Sequence, residues 1–202
     1  PDNKDYLLLA AQINYWLDED LVYAQSLFEK VLVVDPKNID AMFGLANLYV
    51  RSNNLIEAEK LVNEISLLDS SSQKFVLLQK SFENAKIQNE LVQLNSILEE
   101  ARMFASIKDY DSAINSLKKY LKTEPSNKSV KLELANVHIA NSELDKAIKI
   151  YDELLKTNND YELEKQRAKV YLWNSDSLLA LNEFRKLNQE NSDDIETKLL
   201  LG

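Results

Sequence analysis

The sequence contains no cysteine, and it is poor in glycine and proline. Its 202 residues include 2 Gly and 3 Pro. Without cysteine the chain has no disulfide, thiolate nucleophile or cysteine metal ligand. A chain without cysteine is compatible with both oxidising and reducing compartments. Strand-rich folds need frequent glycine and proline turns. The scarcity of both residues therefore predicts an all-α chain whose helices are joined by short Asn, Asp and Ser turns.

An excess of basic residues is also missing. The formal net charge is −9, from 33 acidic and 24 basic side chains. Nucleic-acid binding requires cations that displace counterions from phosphates, so we expect no nucleic-acid partner. No apolar run approaches the roughly 18 residues of a membrane span. We therefore expect a soluble chain without direct membrane insertion.

The chain lacks the combinations of side chains that are typical of catalytic and metal sites. The single histidine, His138, has no second histidine or cysteine at metal-ligand spacing, and Gly44 has no companion glycines for a phosphate-binding loop. Acidic pairs such as Glu99-Glu100 are typical of solvated helix faces. The sequence predicts a non-enzymatic protein with no cofactor and no metal, in which His138 is a packing residue.

Small residues recur at a constant spacing in two series. The first series is spaced 34, 55, 34 and 33 residues and comprises Ala24, Ala58, Ala113, Ala147 and Ala180. The second lies twelve residues upstream and comprises Ala46, Ala101, Ala135 and Ala168, with Gly202 as its continuation. Antiparallel helices approach closely where small side chains meet. The two series therefore predict stacked helix pairs, each about 34 residues long.

These residues resemble the tetratricopeptide repeat, and the best copy is Ala41–Tyr49 followed by Ala58 and Val62. Five units match, approximately at 5–38, 39–72, 94–127, 128–160 and 161–194, and 195–202 opens a sixth. The resemblance implies a right-handed superhelical solenoid of antiparallel helix pairs. Gln12 departs from the small-residue pattern, and His138 replaces a tyrosine. The usual turn glycine is replaced throughout, by Glu19, Asn53, Lys108, Ser142 and Ser175.

The repeat is interrupted at 73–93, where the composition is helical but the small residues are absent. The segment is either an extra helix or an extension of the following helix, and we favour the extension because no turn is signalled. The predicted organisation is therefore two repeats in 1–72, this helix in 73–93, and three repeats plus half of another in 94–202.

The resemblance implies a concave face lined by the first helix of each pair, where a protein or peptide would bind. The candidate contact residues on that face are Tyr6, Trp16, Asp40, Phe43, Asn47, Arg51, Arg102, Asn136, Lys165, Lys169 and Trp173. Aromatic and arginine side chains contribute most to interfaces. In the first unit Leu9 and Ile13 make the stripe apolar, which suits an apolar peptide or a preceding repeat.

The leading functional hypothesis is a protein-interaction scaffold. An alternative is a helical arm of a larger assembly, such as a bacterial envelope polysaccharide-export or secretion protein, or an enzyme that carries such a domain. The chain begins at Pro1 and ends inside a repeat, so we expect a piece of a larger protein, with a lean towards the periplasm or envelope. Exposed Leu199, Leu200 and Leu201 predict self-association through the C-terminal repeat.

Overall fold

The described chain is built from α-helices. A computed structural model describes residues 3–18, 20–156 and 159–201. The helices are α1 Lys4–Leu17, α2 Leu21–Val34, α3 Ile39–Arg51, α4 Leu55–Asp69, α5 Gln73–Ser106, α6 Tyr110–Thr123, α7 Lys128–Ala140, α8 Leu144–Leu155, α9 Tyr161–Trp173, α10 Ser177–Glu190 and α11 Ile195–Leu201. They form two compact units, an N-terminal unit, Pro1–Gln93, and a C-terminal unit, Leu94–Gly202. The predicted all-α repeat fold is confirmed.

Asn and Asp residues begin the helices, as the turn composition predicts. Each capping side chain accepts a hydrogen bond from a backbone N–H of the first turn, which would otherwise lack a partner. The residues that cap in this way are Asn3, Asp20, Asn38, Asp109, Asn127 and Asp160. Asn3, Asn38, Asn127 and Asp160 each cap the first helix of a pair. They provide a common origin from which positions in the repeats can be counted.

The turn inside each pair has one residue in the left-handed region, where glycine is usual. The residues with positive φ are Asp18, Asn53, Lys108, Ser142 and Ser175. Around Lys108 the backbone N–H of Asp109 donates to the Phe104 carbonyl at 2.9 Å, and that of Lys108 donates to Ala105 at 3.1 Å. This is a Schellman motif, and it recurs at Asn53, Ser142 and Ser175.

The predicted small residues are buried inside the pairs. Ala46 and Ala58 lie in one core cluster, and Ala101 and Ala113 lie in another. Large side chains fill the surrounding space, among them Phe28, Leu117 and Phe184, each 1% exposed. Close packing around alanines explains why their spacing repeats so regularly.

Helix α5 is continuous over its 34 residues, so the structure has the extended helix of the two sequence alternatives. Its N-terminal part contributes Phe75, Leu78 and Phe82 to the core of the N-terminal unit. Leu94 and Ala101 lie in a core of the C-terminal unit. Most side chains from Glu83 to Gln93 are exposed, which explains the missing small residues in that stretch.

The first pair has one more residue than the prediction assumed. Asn3 precedes Asn38 by 35 positions, and Ala11, which is fully buried, precedes Ala46 by the same number. The interpretation of Gln12 as the small-residue position was therefore wrong, because Ala11 fills it. Asp18 has the left-handed conformation, whereas the predicted turn residue, Glu19, lies outside the described residues.

The leucines of the C-terminal half repeat are more buried than expected. Leu200 and Leu201 pack, half-buried, against the cluster that contains Phe184 and Leu187, whereas Leu199 is exposed. The expectation that all three leucines are exposed was therefore wrong. Gly202, the predicted continuation of the small-residue series, lies outside the described residues.

Candidate protein-interaction surface

In the C-terminal unit, equivalent positions on successive first helices carry polar side chains. Asn136 and Lys169 each stand nine residues after the capping residue of their helix, and Arg102 stands 34 residues before Asn136. Adjacent first helices are bridged by ion pairs, Arg102–Glu133 between α5 and α7, and Lys128–Asp160 between α7 and the cap of α9. Arg102, Asn136 and Lys169 therefore lie on three first helices that stack in sequence.

Arg102 is held by two carboxylates of the same chain. Its guanidinium donates to Glu133 at 2.7 and 3.3 Å and to Glu99 at 3.0 Å. The hydrogen bond to Glu133, followed by its charge, raises the pKa of Arg102. Beside it is a shallow recess of about 200 Å³. The recess is lined by Ala101, Arg102, Ala105, Leu117, Glu133, Asn136 and Val137.

Lys165 differs from Arg102 because its ammonium group is largely buried. It lies 3.0 Å from Glu162, 3.1 Å from Asp194 and 3.4 Å from Glu196. Burial acts to lower the pKa of Lys165, but hydrogen bonds to Glu162 and Asp194 outweigh burial and raise it. Lys169 is paired with Glu196. Both lysines therefore attach the short helix α11 to α9.

Asp194 is the centre of this attachment. Its carboxylate accepts hydrogen bonds from the Tyr161 hydroxyl at 2.7 Å, from Lys165 at 3.1 Å and from the Thr197 hydroxyl at 3.0 Å. The backbone N–H groups of Glu196 and Thr197 donate to its other oxygen. The hydrogen bonds from Tyr161 and then Lys165 lower the pKa of Asp194 well below its usual value.

We expect the attachment of α11 to weaken in acid. A carboxylate whose pKa is lowered by folding stabilises the protein above its unfolded pKa, and this stabilisation is lost as the pH falls through the folded value. Wild-type protein should therefore melt at a higher temperature than Asp194→Asn at pH 7, and the difference should shrink steadily below about pH 4. Thermal unfolding followed by circular dichroism measures this difference. A difference in melting temperature that is constant from pH 7 to pH 2 would contradict the role of the Asp194 carboxylate in this attachment.

The exposed members of the C-terminal candidate set are Arg102, Asn136 and Trp173. Trp173 ends α9, immediately before Asn174, whose amide donates to Asp145 and Asp176. These hydrogen bonds stabilise the turn that directly follows Trp173. Trp173 is 56% exposed, so most of its ring is available for contact.

The candidate residues of the N-terminal unit fall into two groups: some make contacts within the chain, and others are largely exposed. Asp40 pairs with Lys74 at 3.0 Å, and Arg51 pairs with Asp18 at 2.7 Å. Phe43 is 7% exposed and belongs to the core, and its carbonyl accepts a hydrogen bond from Asn47 at 2.8 Å. A recess of about 250 Å³ is lined by Phe43, Asn47, Lys74, Leu77 and Leu78. In contrast, Tyr6 and Trp16 are 73% and 72% exposed.

The pairing of the candidate charges was not predicted from the sequence. Arg51, Arg102, Lys165 and Lys169 all form ion pairs with carboxylates of their own chain. The paired residues are separated by approximately one repeat, as in Arg102–Glu133 and Lys165–Asp194. Opposite charges one repeat apart are thus the signal that could have revealed these pairs.

His138 is a buried packing residue. It is 2% exposed, and its Nδ1 lies 2.6 Å from the Glu143 carboxylate in the next turn. Hydrogen bonds from Lys146 and then His138 lower the pKa of Glu143. Within the described ranges, no group of three His, Asp or Glu side chains could hold a metal ion. In the same ranges no helix combines the length and the hydrophobicity that membrane crossing requires.

Comparison with solved structures shows similar proteins of low sequence identity. The tetratricopeptide repeat domain of P58(IPK) is 19% identical with a TM-score of 0.43, over 98% of this chain and 54% of that chain. A tetratricopeptide repeat protein of Thermus thermophilus is 17% identical with a TM-score of 0.41, over 98% and 96%. The flexible tandem repeat domain of a bacterial cellulose synthase is 14% identical with a TM-score of 0.44, over 99% and 90%. With TM-scores this low, none of the three identifies a partner for this chain.

The family follows from the sequence. A search of curated proteins finds no match. The sequence model of the tetratricopeptide repeat matches residues 15–79 and 108–170, which together are more than half of the chain. The chain therefore belongs to the tetratricopeptide repeat family, whose fold is a general scaffold for protein interaction.

Proposed function

We propose that the chain is a non-catalytic scaffold that holds a peptide or protein segment along the face formed by its first helices. The observation that carries the proposal is the recess between α5 and α7, where the exposed Arg102 and Asn136 stand at equivalent positions. Trp173 is an exposed aromatic side chain on the next first helix, α9. The set combines an aromatic anchor with polar groups that can orient a backbone.

The internal ion pairs determine which residues contribute most to binding. Arg102 already donates to Glu133 and Glu99, so a partner carboxylate must replace an existing contact. Exchange of one exposed ion pair for another changes the free energy by about 0–1 kcal/mol. The indole of Trp173 has a large exposed surface to bury, and burial of an aromatic ring contributes more. Trp173 is therefore the proposed anchor, and Arg102 and Asn136 position the segment.

Lys165 and Lys169 have a supporting role in this proposal. Lys165 is buried among carboxylates, and Lys169 is paired with Glu196. Their charges fix α11 beside α9 and keep the end of the surface in place. In the N-terminal unit, Asn47 and the core residue Phe43 border a separate recess, whose Lys74 is paired with Asp40. Arg51 is paired with Asp18 and does not line this recess. The recess is a separate candidate contact site within that unit.

We expect Trp173→Ala to weaken segment binding about tenfold or more, and Arg102→Ala only about threefold. A displayed library of random peptides would be panned against the wild-type chain, and the affinities of the enriched peptides measured by fluorescence anisotropy. Far-UV circular dichroism would verify that both variants keep their helix content.

The matched control is Leu178→Ala, because Leu178 is exposed on the second helix α10. Peptides that use the proposed surface should bind this variant as they bind wild type. Peptides that lose affinity for Leu178→Ala and keep it for Trp173→Ala would place the binding surface elsewhere. A library that yields no peptide specific for the folded chain would contradict the scaffold proposal itself.

A further inference from the structure

The C-terminal ends of α2 and α4 expose aliphatic side chains at equivalent positions. Val33 and Leu67 each stand 13 residues after the N-cap residue of their helix, and their side chains are 82% and 86% exposed. Val34 and Leu68, which follow them, are also exposed. Both helices belong to the N-terminal unit. These four residues form what we call the α2–α4 patch.

The packing of Leu32 and Leu61 shows that α2 and α4 lie side by side. Leu32, on α2, packs against the core cluster that contains Val62 of α4. Leu61, on α4, packs against the core cluster that contains Phe28 of α2. The axes of packed helices are about 8–10 Å apart. The aliphatic side chains of the two helices therefore form one continuous patch.

The stacking of repeats does not require aliphatic residues at this position. The equivalent residues of α6, α8 and α10 are Lys122, Lys156 and Gln189, and all three are exposed. Lys156 lies on α8, which has a second helix of a pair before it, α6, and another after it, α10. A further repeat at either end of the chain would thus leave this position open. The patch has the character of an interaction surface instead.

The charges beside the patch have opposite signs on the two helices. Lys30 on α2 and Glu64 on α4 stand at equivalent positions, one turn before the patch, and both are exposed. Neither forms an ion pair with any described residue. Asp35, at the end of α2, is paired with Lys4 at 3.0 Å, and Glu29 accepts hydrogen bonds from two side chains of its own chain. The α2 side therefore carries an unpaired cation and the α4 side an unpaired anion.

We propose that the patch docks on the same patch of a second copy of this chain and forms a two-fold symmetric dimer. A two-fold axis that runs between α2 and α4 places α2 of each copy opposite α4 of the other. Lys30 of each copy then faces Glu64 of the other copy, and the aliphatic side chains meet one turn further on. Packing of α2 on α2 would instead bring Lys30 to Lys30 and Glu64 to Glu64. Charge complementarity therefore favours a second copy, in this orientation.

The dimer should be weak, because the patch is small. Exposed apolar patches of this kind cover roughly 300–600 Å² on one copy. Two facing patches would bury about 1,000 Å² in total, at the lower end of specific interfaces. The patch lies on second helices of the N-terminal unit, outside the recesses that carry the proposed function. Dimerisation and segment binding can therefore fail independently.

Sedimentation velocity of the chain, from micromolar to near-millimolar concentration, tests for the dimer. We expect half of the chains to be dimeric at roughly 10–100 μM. Leu67→Gln should weaken dimerisation about tenfold or more, because the symmetric contact loses the apolar side chain twice. The matched control is Leu199→Gln, on the exposed side of α11, which should leave dimerisation unchanged. Circular dichroism would verify that both variants keep their helix content.

Charge reversal tests whether the occupant is a second copy. Lys30→Glu and Glu64→Lys should each weaken dimerisation about fivefold or more, since each change brings like charges together twice. An equal mixture of the two variants should dimerise as wild type does, because both facing pairs again have opposite signs. The variant with both changes keeps the net charge and should also dimerise. Lys119→Glu, at the equivalent position of α6, should have no effect.

A wild-type chain that stays monomeric over the whole concentration range would overturn the proposal. In that case, binding of neutral lipid vesicles that Leu67→Gln removes would make a lipid surface the occupant, and no binding of vesicles would leave a different protein. A dimer that survives Leu67→Gln, or that Leu199→Gln dissociates, would place the contact elsewhere. Failure of the mixed variants to dimerise would exclude the two-fold arrangement. Each of these results overturns the proposal.

Discussion

Gly44→Ala is expected to destabilise the N-terminal unit by about 1–2 kcal/mol, although alanine is the better helix former. Gly44 lies inside α3, where exchange of glycine for alanine normally stabilises a helix by about 1 kcal/mol. Here a methyl group at Gly44 would lie 2.3–2.7 Å from three ring carbons of Phe28. These distances are far inside van der Waals contact, so the ring or the helix must move.

Phe28 is enclosed by the neighbouring side chains of its core. Its side chain is 1% exposed and is packed with Leu27, Val31 and Leu45 in the same cluster. Overpacking in such a core costs about 1–3 kcal/mol, and three contacts this short place the cost in the upper part of that range, above the gain in helix propensity. Urea unfolding followed by circular dichroism should therefore show a lower midpoint for Gly44→Ala.

Phe28→Leu provides the matched background, because leucine lacks the ring carbons that meet the added methyl group. In this background Gly44→Ala should stabilise by up to about 1 kcal/mol, the gain in helix propensity, and the difference between the two effects measures the contact. An equal loss of stability in both backgrounds would show that the glycine is needed for another reason. A rise in stability in the wild-type background would refute the steric argument.

The fold was predictable because the repeat depends on side-chain size. Alanines such as Ala46 and Ala58 mark helix crossings where nothing larger fits, so their spacing in the sequence reports the geometry directly. The continuity of α5 could also be predicted, since no Gly or Pro interrupts Gln73–Ser106. Both features are local or periodic, and such features are readable from one sequence.

The register of the first pair was not predictable to the residue. An alanine, Ala11, stands beside Gln12, and a one-residue difference in a turn leaves the pattern of the second helix unchanged. The shift matters for the surface, because it makes Tyr6 equivalent to the buried Ala41 and Trp16 equivalent to the exposed Arg51. Counting from the caps Asn3 and Asn38 resolves the register.

The spacing of opposite charges indicates which residues can pair, but it does not give the exposure of each pair. Long side chains such as Arg102 and Lys165 have many rotamers, and packing decides how deeply each charged group is buried. Arg102 remains half exposed, whereas Lys165 is buried, although both lie on the first helix of a pair. Which candidate residues contact a partner stays a prediction, and the peptide experiment tests it.

Introduction of glycine at Lys108, Ser142 and Ser175 together is expected to stabilise the C-terminal unit by about 2 kcal/mol. Each residue has a φ of 59–63°, a left-handed conformation that costs a residue with a Cβ about 1–2 kcal/mol. Glycine removes this strain but has a larger entropy in the unfolded chain, which offsets about 0.5–1 kcal/mol. The net gain is therefore about 0–1.5 kcal/mol at each site, with a midpoint of about 0.7 kcal/mol. The three sites are in separate turns, so their effects should add.

Two controls separate left-handed strain from a general effect of glycine. Asn53 has a φ of 58°, but asparagine tolerates this region, and its side chain gives one exposed hydrogen bond, to Asn89 at 3.2 Å, so Asn53→Gly should change stability by less than about 0.5 kcal/mol. Lys119→Gly, at an exposed site inside α6, should destabilise by about 1 kcal/mol. The urea midpoint should thus rise for Lys108→Gly, stay nearly constant for Asn53→Gly and fall for Lys119→Gly. A fall for Lys108→Gly would show that its side chain makes a stabilising contact that outweighs the strain of the turn.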